Sequence, residues 1–152
     1  MKVIIMRHGE AEMFAATDAE RQLTAKGIDK SLAAADQLLT FAGQEVDKVL
    51  VSPYVRAQQT WDTIKEKFDV GSVETFDDIT PYGDADDVLE YVCAVAELES
   101  LQSVLLVSHL PLVSYMTSAF ASGSTPPMFF TSGIAVVDFD PAARRGELTH
   151  QI

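Results

Sequence analysis

Short apolar runs alternate along this chain with longer segments whose apolar side chains repeat at helical spacing. The apolar runs lie within residues 2–6, 46–51, 103–108 and 134–139, and the less apolar segments 72–76 and 147–152 are interpreted as a weak third strand and a short sixth strand. Strands that alternate with helices form βαβ units, in which helices connect parallel strands and cover the sheet. The sequence therefore predicts an α/β fold of three layers, with a mostly parallel central sheet and helices on both of its faces.

Capping residues mark where the helices are expected to begin. Thr24, Ser52 and Asp84 are residue types that commonly cap a helix N-terminus, and Pro53 after Ser52 suits a first helical turn. Pro111 is expected to open a fourth helix. The helix after Ser52 is predicted to end near residue 68. The helix after Thr24 is predicted to end near residue 41, with a buried face formed by Ile28, Leu32, Ala35, Leu39 and Ala42.

The composition indicates one folded domain with an acidic surface. The chain has 152 residues, 47% of them hydrophobic, which predicts a single domain over residues 1–152. A formal net charge of -12 repels nucleic acids and anionic membranes, so we expect neither as a partner. No apolar run has the length of a membrane span. Cys93 is the only cysteine and cannot form an internal disulfide, so the predicted compartment is the cytoplasm.

Polar residues follow three of the predicted strands. Arg7 and His8 follow the first, Arg56 lies shortly after the second, and His109 follows the fourth. Ligands of open parallel sheets bind at the carboxyl ends of the strands, so we expect these side chains to converge there. Arg56 also lies in a first helical turn, where the helix dipole disfavours a cation. A bound anion would remove this conflict; the alternative is that Arg56 reaches solvent.

Two arginines and two histidines at one edge indicate a site for a tetrahedral oxyanion such as phosphate. The planar paired donors of a guanidinium group match phosphate oxygens. The sequence has neither a P-loop nor a GxGxxG segment, so nucleotide binding of those types is not expected. It also has no HExxH segment and no Cys/His cluster, so we predict neither a catalytic metal nor another cofactor.

Four segments resemble the histidine phosphatase superfamily, which is also called phosphoglycerate mutase-like. They are MRHGE after the first strand, RQLTAKG (21–27), LVSPYVRAQQT (50–60) and VSHLPLV (107–113), in the order that the family has them. Three finer segments are similar to the SixA-type phosphohistidine phosphatases, namely DITPYGD (78–84), SHLPLV and TPPMFFTSGIA (125–135). The resemblance covers nearly the whole chain, becomes weak after residue 136, and implies a phosphoglycerate mutase-like fold.

The resemblance implies a role for each residue of the predicted site. His8 would attack phosphorus as a neutral imidazole and form a transient phosphohistidine that water hydrolyses. Arg7 and Arg56 would bind the phosphoryl oxygens, His109 would complete the clamp, and Arg21 would add a fourth contact.

Asp78 takes the position at which the wider family places a glutamate as general acid. The alternative is an ordinary carboxylate in a turn. An acid matters less for phosphohistidine, because imidazole is a far better leaving group than an alkoxide.

The resemblance implies a metal-independent protein phosphohistidine phosphatase in signal transduction or sugar-uptake phosphorelays. Its partner would be a histidine phosphotransfer domain or a phosphocarrier protein, and phosphate or a similar oxyanion would be its ligand. The short segment between residues 76 and 88 predicts an open cleft. The apolar loop 126–130 is either a docking rim or part of the core. Two alternatives remain, a phosphatase or mutase for small phosphate esters and a non-catalytic phosphate-binding module.

Overall fold

The computed structural model describes residues 1–152 and contains six strands and four α-helices. The strands are β1 (Lys2–Arg7), β2 (Glu45–Val51), β3 (Asp69–Thr75), β4 (Ser103–Ser108), β5 (Ile134–Asp140) and β6 (Arg145–Gln151). The helices are α1 (Ala25–Ala42), α2 (Val55–Ile64), α3 (Ala85–Glu99) and α4 (Leu112–Phe120). Short 3₁₀ turns occupy Asp18–Glu20, Lys65–Lys67 and Asp77–Ile79. No helix has both the length and the apolar character needed to cross a membrane.

All six strands form one sheet in the order β3-β2-β4-β1-β5-β6. The first four strands of this order pair in parallel, whereas β5 is antiparallel to β1 and β6 is antiparallel to β5. Every residue of β4 is buried, as expected for a central strand covered on both faces. The α/β fold with a mostly parallel sheet is thus confirmed.

Two hydrophobic clusters lie on opposite faces of this sheet. Successive side chains of a strand point to opposite faces, so β1 contributes Val3 and Ile5 to one cluster and Ile4 and Met6 to the other. The first cluster includes buried residues of α3 and α4, and the second includes those of α1 and α2. Helices therefore cover both faces, as predicted.

The buried face of α1 differs from the prediction. Thr24 caps the helix by accepting a hydrogen bond from the Gly27 N–H, but Ile28 is 41% exposed. Ala35 is buried as predicted, and Leu39 and Ala42 pack partly buried against the core, whereas the other buried residues are Gly27, Ser31, Ala34 and Leu38. A Cβ atom at Gly27 would lie 2.2 Å from the backbone oxygen of Glu10. The small residues of α1 therefore face the loop after β1, which the apolar spacing alone did not reveal.

The predicted cap of α2 is also wrong. The helix begins at Val55, three residues after Ser52, and ends at Ile64 before a 3₁₀ turn. Ser52 is fully buried, and its hydroxyl lies 2.7 Å from Nε2 of His109. This tertiary contact, rather than helix capping, explains a serine at the end of β2. Asp84, by contrast, caps α3 as predicted, by accepting hydrogen bonds from two backbone N–H groups.

Candidate active site

The structure brings Arg7, His8, Arg56 and His109 together where β1, β2 and β4 end. These three strands are neighbours, with β4 between the other two. The rings of His8 and His109 have centroids 5.1 Å apart, and Nε of Arg56 lies 3.2 Å from Nε2 of His8. Both histidines and Arg56 are buried, with 7%, 1% and 4% of their surface exposed. The predicted convergence is therefore observed, and the chemical roles of these residues stay predictions.

Two neighbours determine which nitrogen of His8 carries its proton. Nδ1 lies 2.7 Å from the Gly9 carbonyl oxygen, which can only accept a hydrogen bond, so Nδ1 is protonated. Nε2 accepts a hydrogen bond from Nε–H of Arg56, which can only donate. Neutral His8 therefore has its lone pair on Nε2, pointing toward a guanidinium group.

Backbone contacts hold the loop that contains His8. The His8 N–H donates to the Ser108 carbonyl at 2.9 Å, and its carbonyl accepts from the Ser132 N–H at 3.0 Å. The Gly9 N–H donates to the Thr60 hydroxyl at 2.9 Å. A Cβ atom at Gly9 would lie 2.8 Å from both the Gly27 carbonyl oxygen and the Ser31 hydroxyl, so only glycine fits this close approach to α1.

Asp18 connects the two arginines that lie nearest to it. Its carboxylate contacts Arg56 at 3.2 Å and Arg21 at 3.0 Å, and its carbonyl oxygen accepts from Arg56 at 2.7 Å. The hydrogen bond from Arg21, followed by that from Arg56, lowers the pKa of Asp18. Arg21 also donates to the Glu12 carbonyl at 2.7 Å, and it has no hydrogen bond to His8. Arg56 thus does not reach solvent, and Asp18 partly balances its charge.

Two buried nitrogens of the site have no hydrogen-bond partner within the protein, namely Nε of Arg7 and Nδ1 of His109. Arg7 uses another nitrogen to donate to the Phe129 carbonyl at 2.9 Å. Buried polar atoms without partners are uncommon and costly, and they often belong to functional sites. Both lie beside His8, so together they are suited to an oxygen-rich ligand at that point.

Burial and positive charge keep both histidines neutral. Burial, together with the charges of Arg56, Arg7 and Arg21, lowers the pKa of His8 to about 4, and the hydrogen bond to Gly9 opposes this shift. Burial likewise lowers the pKa of His109 to about 2, with contributions from His8 and Arg56. At physiological pH His8 is therefore neutral, and its Nε2 keeps the lone pair that a nucleophile needs.

These shifts predict that the protein loses stability in mild acid. In the unfolded chain both histidines take up a proton below about pH 6.5, whereas folded His8 does so only near pH 4. The free energy of unfolding should therefore fall as the pH drops from about 6.5 to 4, by up to roughly 1.4 kcal/mol per pH unit for each histidine. When the free energy of unfolding is measured with urea at each pH, it should fall less steeply with decreasing pH in His109→Gln than in the wild type. An equal fall with pH in the two proteins would contradict the lowered pKa of His109.

Residues 3–87 match the sequence profile of the histidine phosphatase superfamily (branch 1). Over 143 residues the chain is 44% identical to the phosphohistidine phosphatase SixA of Escherichia coli (strain K12). The alignment covers 92% of this chain and 86% of that protein. The chain belongs to the histidine phosphatase superfamily. A SixA homolog from Haemophilus influenzae (strain ATCC 51907 / DSM 11121 / KW20 / Rd) is 38% identical over 147 residues, covering 92% of this chain and 89% of the relative.

The fold of this histidine phosphatase also matches that of a solved relative. It aligns with the protein histidine phosphatase SixA complexed with tungstate, with a TM-score of 0.92 and 41% identity, over 100% of this chain and 96% of that chain. The match confirms the predicted family and its phosphoglycerate mutase-like fold.

Asp78 is the predicted site residue that the structure leaves apart from the others. It lies in the 3₁₀ turn Asp77–Ile79, it is exposed, and it makes no side-chain hydrogen bond to His8 or to the arginines. Its role as general acid stays a prediction. No group of three or more His, Cys, Asp or Glu side chains in this histidine phosphatase is arranged to hold a metal ion.

The sequence analysis missed three residues that contact the site of this histidine phosphatase. Asp18 pairs with Arg56, Ser52 contacts His109, and the Tyr54 ring lies 5.0 Å from both the His109 ring and the centre of the Arg56 guanidinium group. Ser52 and Tyr54 belong to the segment LVSPYVRAQQT (50–60), so its resemblance to the family could have indicated them as site residues. Asp18 lies in a stretch without strand or helix periodicity, and nothing in the sequence relates it to Arg56.

Proposed function

We propose that this chain is a metal-independent protein phosphohistidine phosphatase that acts through a covalent intermediate on His8. The observation that supports this most directly is the unprotonated Nε2 of His8, held beside Arg56 while Nδ1 donates to Gly9. A neutral imidazole with a directed lone pair is the nucleophile that such chemistry needs.

In the first step, the hydrogen bond from Nε–H of Arg56 to Nε2 of His8 is released, Nε2 attacks phosphorus, and the P–N bond of the substrate breaks. The electron pair of that bond goes to the substrate nitrogen. The other ring nitrogen of the substrate is already protonated, so a neutral imidazole leaves. His8 then has phosphorus on Nε2 and a proton on Nδ1, and Nδ1 donates a hydrogen bond to the Gly9 carbonyl oxygen, which lies 2.7 Å from Nδ1 in the free enzyme. In the second step, water attacks phosphorus and releases phosphate and neutral His8.

The unpartnered nitrogens would bind the phosphoryl oxygens. Nε of Arg7 is always a donor. The Ser52 hydroxyl accepts from the Tyr54 N–H at 3.3 Å, so its own hydrogen can be donated to Nε2 of His109. His109 would then be protonated on Nδ1, the nitrogen that lacks a partner, and would donate to an oxygen while neutral. The tungstate complex of the SixA relative supports a tetrahedral oxyanion in such a site.

The electrostatics of the site favour phosphohistidine over a phosphate ester. An ester releases an alkoxide, which needs a proton from a nearby acid. The carboxylate that contacts the arginines is Asp18, and Arg21 and Arg56 hold its pKa below the ordinary value, so it is a poor proton donor. Phosphohistidine needs no such acid, because its leaving group already has its proton.

The partner would be a cytoplasmic protein phosphorylated on histidine, either a histidine phosphotransfer domain or a phosphocarrier protein. The test is to compare phosphate release from a histidine phosphotransfer domain labelled with ³²P on its histidine with release from a sugar phosphate. We expect faster release from the labelled domain, unchanged by EDTA. Faster release from the ester, or tight binding of the domain without any release, would contradict the proposal.

A further inference from the structure

We propose that exposed methionine and aromatic side chains around His8 form a docking rim for the folded domain that bears the phosphohistidine. This inference rests on the proposed function. The apolar rim is defined as Met13, Phe14, Tyr82, Met128 and Phe130, whose exposed fractions are 79%, 87%, 86%, 79% and 87%.

The apolar rim is concentrated at one end of the molecule. Nine large hydrophobic residues of the chain are exposed, and all those that are methionine or aromatic lie in segments at the edge where β1 and β4 end. These residues are the five of the apolar rim and Tyr115 in the first turns of α4. The remaining three are the aliphatic residues Ile28, Val73 and Leu98. Methionine and aromatic side chains are enriched where proteins bind one another.

On one side of the site, the loop 126–130 is tied directly to Arg7. The carbonyl of Phe129 accepts a hydrogen bond from Arg7 at 2.9 Å, and the Phe129 side chain is 3% exposed in the core. Its neighbours Met128 and Phe130 point outward. The loop is therefore part of the core at Phe129 and a candidate docking rim at Met128 and Phe130. The Phe129 side chain anchors the loop, and the two side chains beside it are free to contact a partner.

A second part of the apolar rim belongs to the loop after β1, which is tied to Arg21. The Glu12 carbonyl accepts from Arg21 at 2.7 Å, and the exposed Met13 and Phe14 follow directly. A cleft of about 590 Å³ borders Phe14 and Val55, the residue before Arg56. Phe14 therefore lies near the start of the helix that contains Arg56, outside the group of residues around His8.

The third part of the apolar rim follows the 3₁₀ turn Asp77–Ile79. The Ser108 hydroxyl, at the end of β4, donates to the Ile79 carbonyl at 2.7 Å and fixes this turn beside His109. Tyr82 follows three residues later and is 86% exposed. Three separate segments, each attached to a site residue or its neighbour, thus present apolar side chains at the edge of the sheet where His8 lies.

The depth of the site explains why the occupant is a protein domain. His8 is 7% exposed, so the substrate imidazole must enter as a side chain while its own backbone stays outside. The residues beside that phosphohistidine then meet the apolar rim. A small phosphorylated metabolite cannot cover three separate segments. Acidic Glu12 and Glu20 line the cleft next to Phe14, so the partner face is expected to be apolar with a basic margin.

The test compares two substrates of the same chemistry, free phosphohistidine and a ³²P-labelled histidine phosphotransfer domain. Phe14→Ser and Phe130→Ser should each raise KM for the domain by roughly tenfold, as loss of an anchoring aromatic residue does at other interfaces. Their kcat/KM for free phosphohistidine should stay unchanged. Leu98→Ser is the matched control, because Leu98 is 85% exposed at the far end of α3 and should leave both substrates unaffected.

The outcomes separate the apolar rim from the proposed function. If the wild type releases phosphate from neither substrate, both proposals are wrong. If it hydrolyses both and the variants leave KM for the domain unchanged, the apolar rim alone is wrong. An equal loss on both substrates would also overturn the apolar rim, because it would show an effect on the chemistry rather than on docking.

Discussion

Replacing His8 with alanine is expected to lower phosphate release by at least about four orders of magnitude, the scale seen when a covalent enzyme loses its nucleophile. The variant removes the Nε2 lone pair that faces Arg56 and the Nδ1 proton that faces Gly9. His109 cannot take its place in the proposed arrangement, because Ser52 donates to its Nε2 and its Nδ1 has the proton. Single-turnover assays with a ³²P-labelled histidine phosphotransfer domain measure this directly.

Two controls accompany His8→Ala. His150→Ala removes an exposed histidine that stacks on Phe41 at 4.0 Å, and it should leave phosphate release unchanged. Tungstate should still raise the Tm of His8→Ala, because Arg7, Arg56 and His109 remain, and this would show that the variant is folded. Acid-labile label should appear on the wild type and be absent from His8→Ala. Substantial residual turnover by this variant would refute the covalent route.

Replacing Arg56 with lysine is expected to reduce kcat/KM by roughly 10²–10³-fold, the loss found when one preorganised donor to a transition-state oxyanion is removed. Lysine keeps the charge and loses the planar fork. In the wild type that fork donates to Nε2 of His8 at 3.2 Å and to the Asp18 carbonyl at 2.7 Å. One ammonium group cannot reproduce both contacts, so His8 and the phosphoryl oxygens would both lose orientation.

Arg144→Lys is the matched control for Arg56→Lys. Arg144 is exposed and pairs with Glu90, on the turn between β5 and β6. Surface ion pairs of this kind contribute little, so this variant should keep wild-type activity and stability. If Arg56→Lys loses less than about threefold in kcat/KM, the guanidinium geometry is not needed and the proposed role of Arg56 is wrong.

The elements that the sequence predicted well depend on neighbours along the chain. Thr24 and Asp84 cap α1 and α3 through backbone groups two or three residues away. The apolar runs indicated β1, β2 and β4 for a similar reason, since a strand buried on both faces needs several apolar residues in succession. The convergence of His8, Arg56 and His109 followed from one topological rule, that parallel strands end at the same edge.

The elements that the sequence predicted badly depend on residues distant along the chain. Ser52 looked like a helix cap, and its hydroxyl contacts His109 from the neighbouring strand end. The apolar spacing of α1 placed Ile28 inside, whereas close contact with the backbone of Glu10 turned Gly27 inward. A pattern of apolar residues takes no account of glycine and serine, so it could not predict that Gly27 and Ser31 lie on the buried face of α1.

The sequence by itself determined the fold class, the family and the edge of the sheet at which His8 and its partners meet, because strand order and local spacing encode these. Only the tertiary structure decided which nitrogen of His8 is unprotonated, which carboxylate pairs with Arg56, and which side chains of loop 126–130 face outward. These depend on contacts between segments tens of residues apart, such as the one between Asp18 and Arg56. Loops without periodicity adopt the conformation that the surrounding elements impose on them.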